Sequence, residues 1–215
     1  MMVLYDYFRS SASFRVRIVL QLKKINFESK EIHLINNGGE QFSNAYKAIN
    51  PQSRVPSLQD GNVTITQSLA IIDYLEDKYP QHSIYPTDPV LKAKVKAFAL
   101  TIACDIHPLN NSGTLNFLKA EFAATKEDIS KWYAHWIELG FVALEKTLQK
   151  TAGFYCFGDE ITLADICLIP QVYNAKRFNV DISAFPNIEK ISIHAMKHPA
   201  FFHASPEQVK PKECQ

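Results

Sequence analysis

The chain has 215 residues, 47% hydrophobic and 21% charged, enough for a packed core and more than one small domain needs. A net charge near +1 with both signs interspersed gives no electrostatic case for nucleic acid or a membrane surface as partner. No apolar run is long enough to cross a bilayer, and the first residues lack the basic-then-apolar pattern of a leader, so no membrane partner is expected.

Met2 to Tyr7 reads as a short apolar strand ending at the polar cluster Arg9-Ser10-Ser11. Val16, Val19, Leu20 and Lys23 then share one helical face, with Ile18 and Leu22 beside them. Phe27 to Leu34 alternates as a second strand, which Asn37-Gly38-Gly39 breaks, and a short helical stretch from Gln41 to Ala48 follows. Asp60-Gly61 marks a hairpin turn between strands at 56–59 and 63–65. A helix from Gln67 to Lys78, with Leu69, Ile72 and Leu75 at helical spacing, closes the unit. The order β-α-β-α-β-β-α is that of the thioredoxin fold. Where a thioredoxin carries its C-x-x-C, this chain has Ser10-Ser11-Ala12-Ser13, which excludes dithiol chemistry there and leaves a site built of hydroxyls.

Tyr79-Pro80, Tyr85-Pro86 and Asp88-Pro89 punctuate a linker, after which the period is helical almost throughout. Leu91, Val95, Phe98, Ile102, Ile106 and Leu109 step along one face of a long helix that Pro108 should kink by freeing the carbonyl four residues back. Lys92, Lys94 and Lys96 read as its solvated face. A second long helix spans 126–150, its Trp132, Tyr133 and Trp136 a packing cluster, and Thr162-Leu163-Ala164-Asp165 fits a capping box at a third helix start. After Phe202, Pro206 and Pro211 predict an irregular surface tail. The expected division is α/β followed by all-α: residues 1–80, a linker at 81–87, and a helical domain over 88–215. Cys104, Cys156, Cys167 and Cys214 form neither a C-x-x-C pair nor a metal-type spacing, so reduced thiols in a cytosol are expected. His194, His198 and His203 lack an accompanying carboxylate motif, and no metal is expected.

The segment Tyr7-Phe8-Arg9-Ser10-Ser11-Ala12-Ser13-Phe14-Arg15-Val16-Arg17-Ile18 resembles the S-S-C-S-x-R-V-R-I signature of the zeta class of glutathione transferases, departing only at Ala12. Similarity continues at Asn50-Pro51 to Val55-Pro56, at Gln67-Ser68-Leu69-Ala70-Ile71-Ile72, at Gly158 to Asp165, and at Pro170-Gln171-Val172 with Asn174-Ala175-Lys176-Arg177-Phe178. The resemblance implies a thioredoxin-like glutathione-binding domain, an all-helical second domain and a cytoplasmic homodimer. It implies glutathione-dependent isomerisation of maleylacetoacetate to fumarylacetoacetate in tyrosine and phenylalanine breakdown, with glutathione a cofactor that is not consumed. By the same resemblance Ser10 and Ser11 are catalytic. It also implies that glutathione is cradled by Ser10, Ser11, Ala12, Ser13, Phe14, Arg15, Gln41, Val55, Gln67, Ser68, His107, Asn111, Ser112 and Gly113. Arg9 and Arg177 face the dicarboxylate substrate.

The residue chemistry agrees in part. A serine hydroxyl at a strand-to-helix turn can donate to a sulfur while free N–H groups and the helix dipole favour its thiolate; equally, such a serine is an N-cap. Val55-Pro56 is cis in the family, whereas trans is the default for an X-Pro bond. Gln67-Ser68 opens a helix whose N-terminus suits a carboxylate, in the family the γ-glutamyl end of glutathione. Only five of the 23 basic residues are arginines, Arg9, Arg15, Arg17, Arg54 and Arg177; in a lysine-biased chain an arginine points to use of its planar fork. Arg177 has a second reading, a surface ion pair. His107 stands where the family has a glutamine that contacts glutathione, with Asn111, Ser112 and Gly113 on the same helix; it reads either as that contact or as a packed histidine beside Pro108. Two rivals stand beside the isomerase: a zeta-like transferase acting on α-halo acids or maleylpyruvate, and a non-catalytic interaction module of transferase fold.

Overall fold

The computed structural model describes residues 1–211; Cys214 lies outside them. In strand β1 (Met2–Asp6), Met2, Leu4, Tyr5 and Asp6 are all buried, as befits a strand covered on both faces. It pairs in parallel with β2 (Phe27–Glu31), after helix α1 (Ser11–Leu22), and antiparallel with β3 (Ser57–Asp60), which follows the single turn α2 (Asn44–Lys47). A hairpin through Gly61 (φ 60°) adds β4 (Val63–Thr66), giving the order β2-β1-β3-β4, and α3 (Ser68–Lys78) packs beside α1. β2 stops three residues short of the predicted Leu34 because its only partner ends: Asp6 opposite Glu31 is the last pair. His33 then turns the chain, its Nδ1 accepting from the Asn36 and Ile35 N–H groups at 2.9 and 3.3 Å.

The helical unit opens with α4 (Pro89–Leu100), capped by Asp88. The expected kink at Pro108 is spread over a π-helical stretch, Thr101–Ile106, that leads into α5 (His107–Asn110). Pro108 has no N–H for the Cys104 carbonyl, and the widened turn absorbs the mismatch instead of a sharp bend. The helix does not continue into 111–113. Asn111 is extended (ψ 159°) and accepts from the Thr114 N–H at 3.1 Å, so Ser112 and Gly113 begin a new helix, α6 (Ser112–Phe122). α7 (Lys126–Thr151) starts on a Thr125/Asp128 capping box and buries Ile129, Tyr133, Ile137, Phe141, Leu144 and Leu148. Gly140 admits Ile106, whose Cδ1 would lie 2.3 Å from an added Cβ. Trp132 packs against Trp136 and donates to the Leu109 carbonyl at 2.8 Å.

α8 (Leu163–Arg177) is almost wholly buried. At its start Asp165 accepts from the Thr162 N–H (2.9 Å), the Thr162 hydroxyl (3.0 Å) and the Cys156 N–H (2.7 Å), so the short aspartate does reach back. α9 (Pro186–Ala195) is capped from a distance: Glu145 of α7 accepts from the Asn187 and Ile188 N–H groups at 3.0 and 3.1 Å.

The predicted irregular tail is instead two short helices, α10 (Pro199–Ala204) and α11 (Pro206–Val209). Each begins on a proline, whose missing N–H costs nothing at the first helical position. Phe201 is fully buried and α10 packs on α1. The chain accordingly divides into one compact unit of residues 1–83 with the segment from His198 onward, and a second of Ile84–Lys197. Residues 198–211 thus belong with the α/β unit, not with the helices of the 88–215 division.

Among the described residues no helix is long and apolar enough to cross a membrane, and no three His, Cys, Asp or Glu side chains group as metal ligands. His194 stacks on Phe154, their ring centroids 5.1 Å apart, and His198 caps α10. Cys156 and Cys167 are buried free thiols and Cys104 an exposed one.

Candidate active site

After β1 the chain turns back on itself, the Ser10 N–H donating to the Tyr7 carbonyl at 2.8 Å. Ser10 is the N-cap of α1, its Oγ accepting from the Ser13 N–H at 3.2 Å. A hydroxyl that accepts keeps its own hydrogen to donate, so the capping and chemical readings of Ser10 are compatible. No acidic residue occupies the first turn of α1, so no carboxylate of that turn competes for its positive end, which favours an anion. Ser11 is buried and Ala12 half-buried; the side chains of Ser13, Phe14 and Arg15 face the interior. Arg15 reaches Ser68 at 3.4 Å and thereby joins the starts of α1 and α3. Arg9 is exposed, its guanidinium 4.9 Å from the Phe8 ring centre.

The turn is held from beneath by a pair the sequence pattern did not single out. Arg17 donates to both oxygens of Asp6 at 2.7 and 2.8 Å, to the Phe8 carbonyl at 3.1 Å and to the Ala204 carbonyl at 2.9 Å. The available signal was a carboxylate closing an apolar strand and an arginine on the buried face of the next helix.

A second buried network brackets Val55-Pro56, whose peptide is cis. The Tyr46 hydroxyl and the Asn50 carboxamide both donate to the Arg54 carbonyl, at 2.7 and 2.8 Å, and both meet Ser57 Oγ, at 3.0 and 3.1 Å. Burial raises the Tyr46 pKa and keeps the phenol a neutral donor. Gln67 sits at φ 69°, ψ 118°, a strained conformation for a residue with a side chain, immediately before Ser68 opens α3. Its carboxamide donates to Gln52 at 2.8 Å. Gln41 is buried; its Nε2 donates to the Leu34 carbonyl at 3.3 Å, while Oε1 has no partner among the described residues. Gly39 (φ 103°) makes room for it, since an added Cβ would stand 2.5 Å from Gln41 Nε2. A buried acceptor without a donor costs stability until one arrives. Ser10, Val55, Gln67, Ser68 and Gln41 all belong to the α/β unit. A donor-rich anionic peptide such as glutathione fits this set: two helix N-termini for charge, a hydroxyl with a spare hydrogen and an unmet carboxamide oxygen.

The remaining candidates lie in the helical unit. His107 opens α5 and is half-buried. Both ends of the Asn111 carboxamide are engaged, Oδ1 by Thr114 and Nδ2 by the Pro108 carbonyl at 2.7 Å, while Ser112 and Gly113 are exposed. Arg177 ends α8, exposed, with its guanidinium 4.8 Å from the Phe178 ring centre; among the described residues it makes no ion pair or hydrogen bond, so the surface-pair reading has no partner.

Residues 4–83 match the family described as the glutathione S-transferase N-terminal domain. The maleylacetoacetate isomerase of Pseudomonas aeruginosa is 43% identical over 206 residues, 95% of this chain and 96% of its own. The holo structure of a maleylpyruvate isomerase, a bacterial zeta-class glutathione S-transferase, superposes with a TM-score of 0.94 at 40% identity over 97% of this chain and 98% of that one. A maleylacetoacetate isomerase of Methylobacterium extorquens, with malonate and glutathione bound, gives 0.93 at 35% over the same shares. Likeness this close, over both halves of the chain and not the α/β half alone, fixes more than the fold: the chain belongs to the zeta class of the glutathione S-transferases, the family of the maleylacetoacetate isomerases.

Proposed function

We propose that the protein isomerises maleylacetoacetate to fumarylacetoacetate with glutathione as cofactor, working in the cytoplasm as a homodimer. The observation that carries the reading is Ser10, a capping hydroxyl that donates to no group among the described residues, at the positive end of a helix where a thioredoxin would place its cysteines. Glutathione, when bound, supplies the sulfur that adds across the cis double bond and departs once the trans bond can form. The chain's own part is electrostatic and positional. Ser10, supported by Ser11 and the first N–H groups of α1, lowers the cost of negative charge on that sulfur. The Val55 main chain, the Gln67-Ser68 helix start and Gln41 hold the peptide. Arg177, its fork uncommitted, takes a substrate carboxylate, with Arg9 as the second cation. His107, Asn111, Ser112 and Gly113 complete the list of expected glutathione contacts, Asn111 through its main chain because its carboxamide is occupied.

The strained Gln67 argues against a non-catalytic module, which has no use for a costly backbone conformation beside a retained site. A second substrate, maleylpyruvate, is kept in view by the likeness to an isomerase of that name. Comparing kcat/KM for the two acids separates the readings: a ratio above about ten for maleylacetoacetate is expected, and the reverse ratio assigns the enzyme to maleylpyruvate.

A further inference from the structure

Arg177 poses a physical problem. An exposed arginine that makes no ion pair among the described residues keeps many rotamers open, and a bound carboxylate would have to freeze them out. The structure reduces that freedom at three levels. The backbone is fixed first, because α8 ends in a Schellman motif: Asn179 adopts φ 56°, its N–H donates to the Lys176 carbonyl at 3.0 Å, and the Val180 N–H donates to the Ala175 carbonyl at 2.9 Å. The guanidinium is seated next, 4.8 Å from the centre of the Phe178 ring. That ring is itself backed, lying against Tyr133 with centroids 3.9 Å apart and planes 15° from parallel. Tyr133 is 1% exposed, and the buried Asn110 carboxamide donates to its carbonyl at 3.3 Å.

We infer that Phe178, backed by Tyr133, is the positioning device that aims the Arg177 fork at the substrate's carboxylate. Phe178 and Tyr133 touch no substrate; they act through Arg177. The inference rests on Arg177 being a carboxylate ligand. Burial also raises the Tyr133 pKa against the opposing charge of Arg177, so no phenolate forms to capture the guanidinium and compete with the substrate. A Tyr or Trp at 178 keeps a π face under the cation; Leu keeps the apolar bulk and removes it.

The test is steady-state kinetics with maleylacetoacetate, glutathione and a neutral conjugation substrate. Phe178→Leu is expected to raise the maleylacetoacetate KM about two- to fivefold, the size of an exposed cation–π contact, leaving kcat, the glutathione KM and neutral conjugation near wild type. Phe178→Trp should restore the wild-type KM, and Tyr133→Phe, which keeps the stack, should leave it unchanged. Should Phe178→Leu fail to fold, Tyr133→Leu takes its place, with the same rise in KM expected. Arg177→Lys separates the two layers. If it raises the dicarboxylate KM while Phe178→Leu or Tyr133→Leu leaves it at wild type, the positioning role is overturned and Arg177 stands. If Arg177→Lys itself has no effect, the carboxylate reading falls, and the inference with it. A loss of all activities together, unrescued by Phe178→Trp, makes Phe178 a packing residue and also overturns the inference.

Discussion

Arg17 holds both carboxylate oxygens of Asp6 from a single nitrogen, at 2.7 and 2.8 Å, with the two side chains only 2% and 5% exposed. The pair lies directly under the turn that delivers Ser10, and two further donors of Arg17 reach Phe8 and Ala204. Breaking one side of such a pair leaves a buried charge uncompensated, at a cost of about 3–5 kcal/mol. Arg17→Met should show that loss in urea unfolding, and the double change Asp6→Leu with Arg17→Met should recover much of it. A single-variant loss below about 1 kcal/mol would mean that the turn is held by something else.

Ser10 combines two roles that substitution can separate. Ser10→Ala removes the cap, at about 1 kcal/mol, and the donor, at about a hundredfold in turnover. Ser10→Asp retains a good cap but sets a negative charge where the thiolate must form. Its melting temperature should match wild type while its turnover falls below that of Ser10→Ala. Equal turnover in all three proteins would remove Ser10 from the chemistry.

The φ of 69° at Gln67 gives a stability–function trade-off that one substitution can expose. Gln67→Gly accepts that backbone without strain and should raise stability, by up to about 1–3 kcal/mol if the strain is fully relieved. It deletes the side chain expected at the peptide ligand, so the glutathione KM should rise. A less stable variant with unchanged glutathione KM would make Gln67 a structural residue only.

His198 makes one helix end sensitive to acid. Its Nδ1 accepts from the Ala200 N–H at 3.2 Å, and burial lowers its pKa below 6.5, so the neutral ring is the folded form. The unfolded chain therefore binds this proton first. The contribution to stability is full above about pH 6.5 and is lost as pH falls through the folded pKa. His198→Asn preserves a cap without the titration. Between pH 7.5 and 5.5 its melting temperature should fall less than that of wild type; parallel falls would show that His198 contributes nothing to the slope.

Much of this was legible in the sequence because it is local. The strand-to-helix change at Ser10, the hairpin at Asp60-Gly61 and the Thr162–Asp165 cap each lie within a few residues. What is not legible there depends on contacts far apart in the chain. Arg17 meets the Ala204 carbonyl 187 residues away, in the segment that belongs with the α/β unit, and Glu145 caps a helix 42 residues later. Pro108 was visible, but a widened turn in place of a kink depends on how the surrounding helices pack, whereas the fresh start of a helix at Ser112 is a local event, set by the extended Asn111 cap. Among the site residues, Arg177 stood out by its rarity and by the resemblance of its Asn-Ala-Lys-Arg-Phe segment; that Phe178 and Tyr133 lie in one stack beside it required the fold.

The most direct measurement is the conversion of maleylacetoacetate by the purified protein with and without glutathione, followed together with the total free thiol. The expected result is appearance of fumarylacetoacetate only when glutathione is present, with the thiol unchanged after many turnovers. Conversion at the same rate without glutathione, or loss of one thiol for each substrate consumed, would contradict an isomerase that uses glutathione as a returning cofactor.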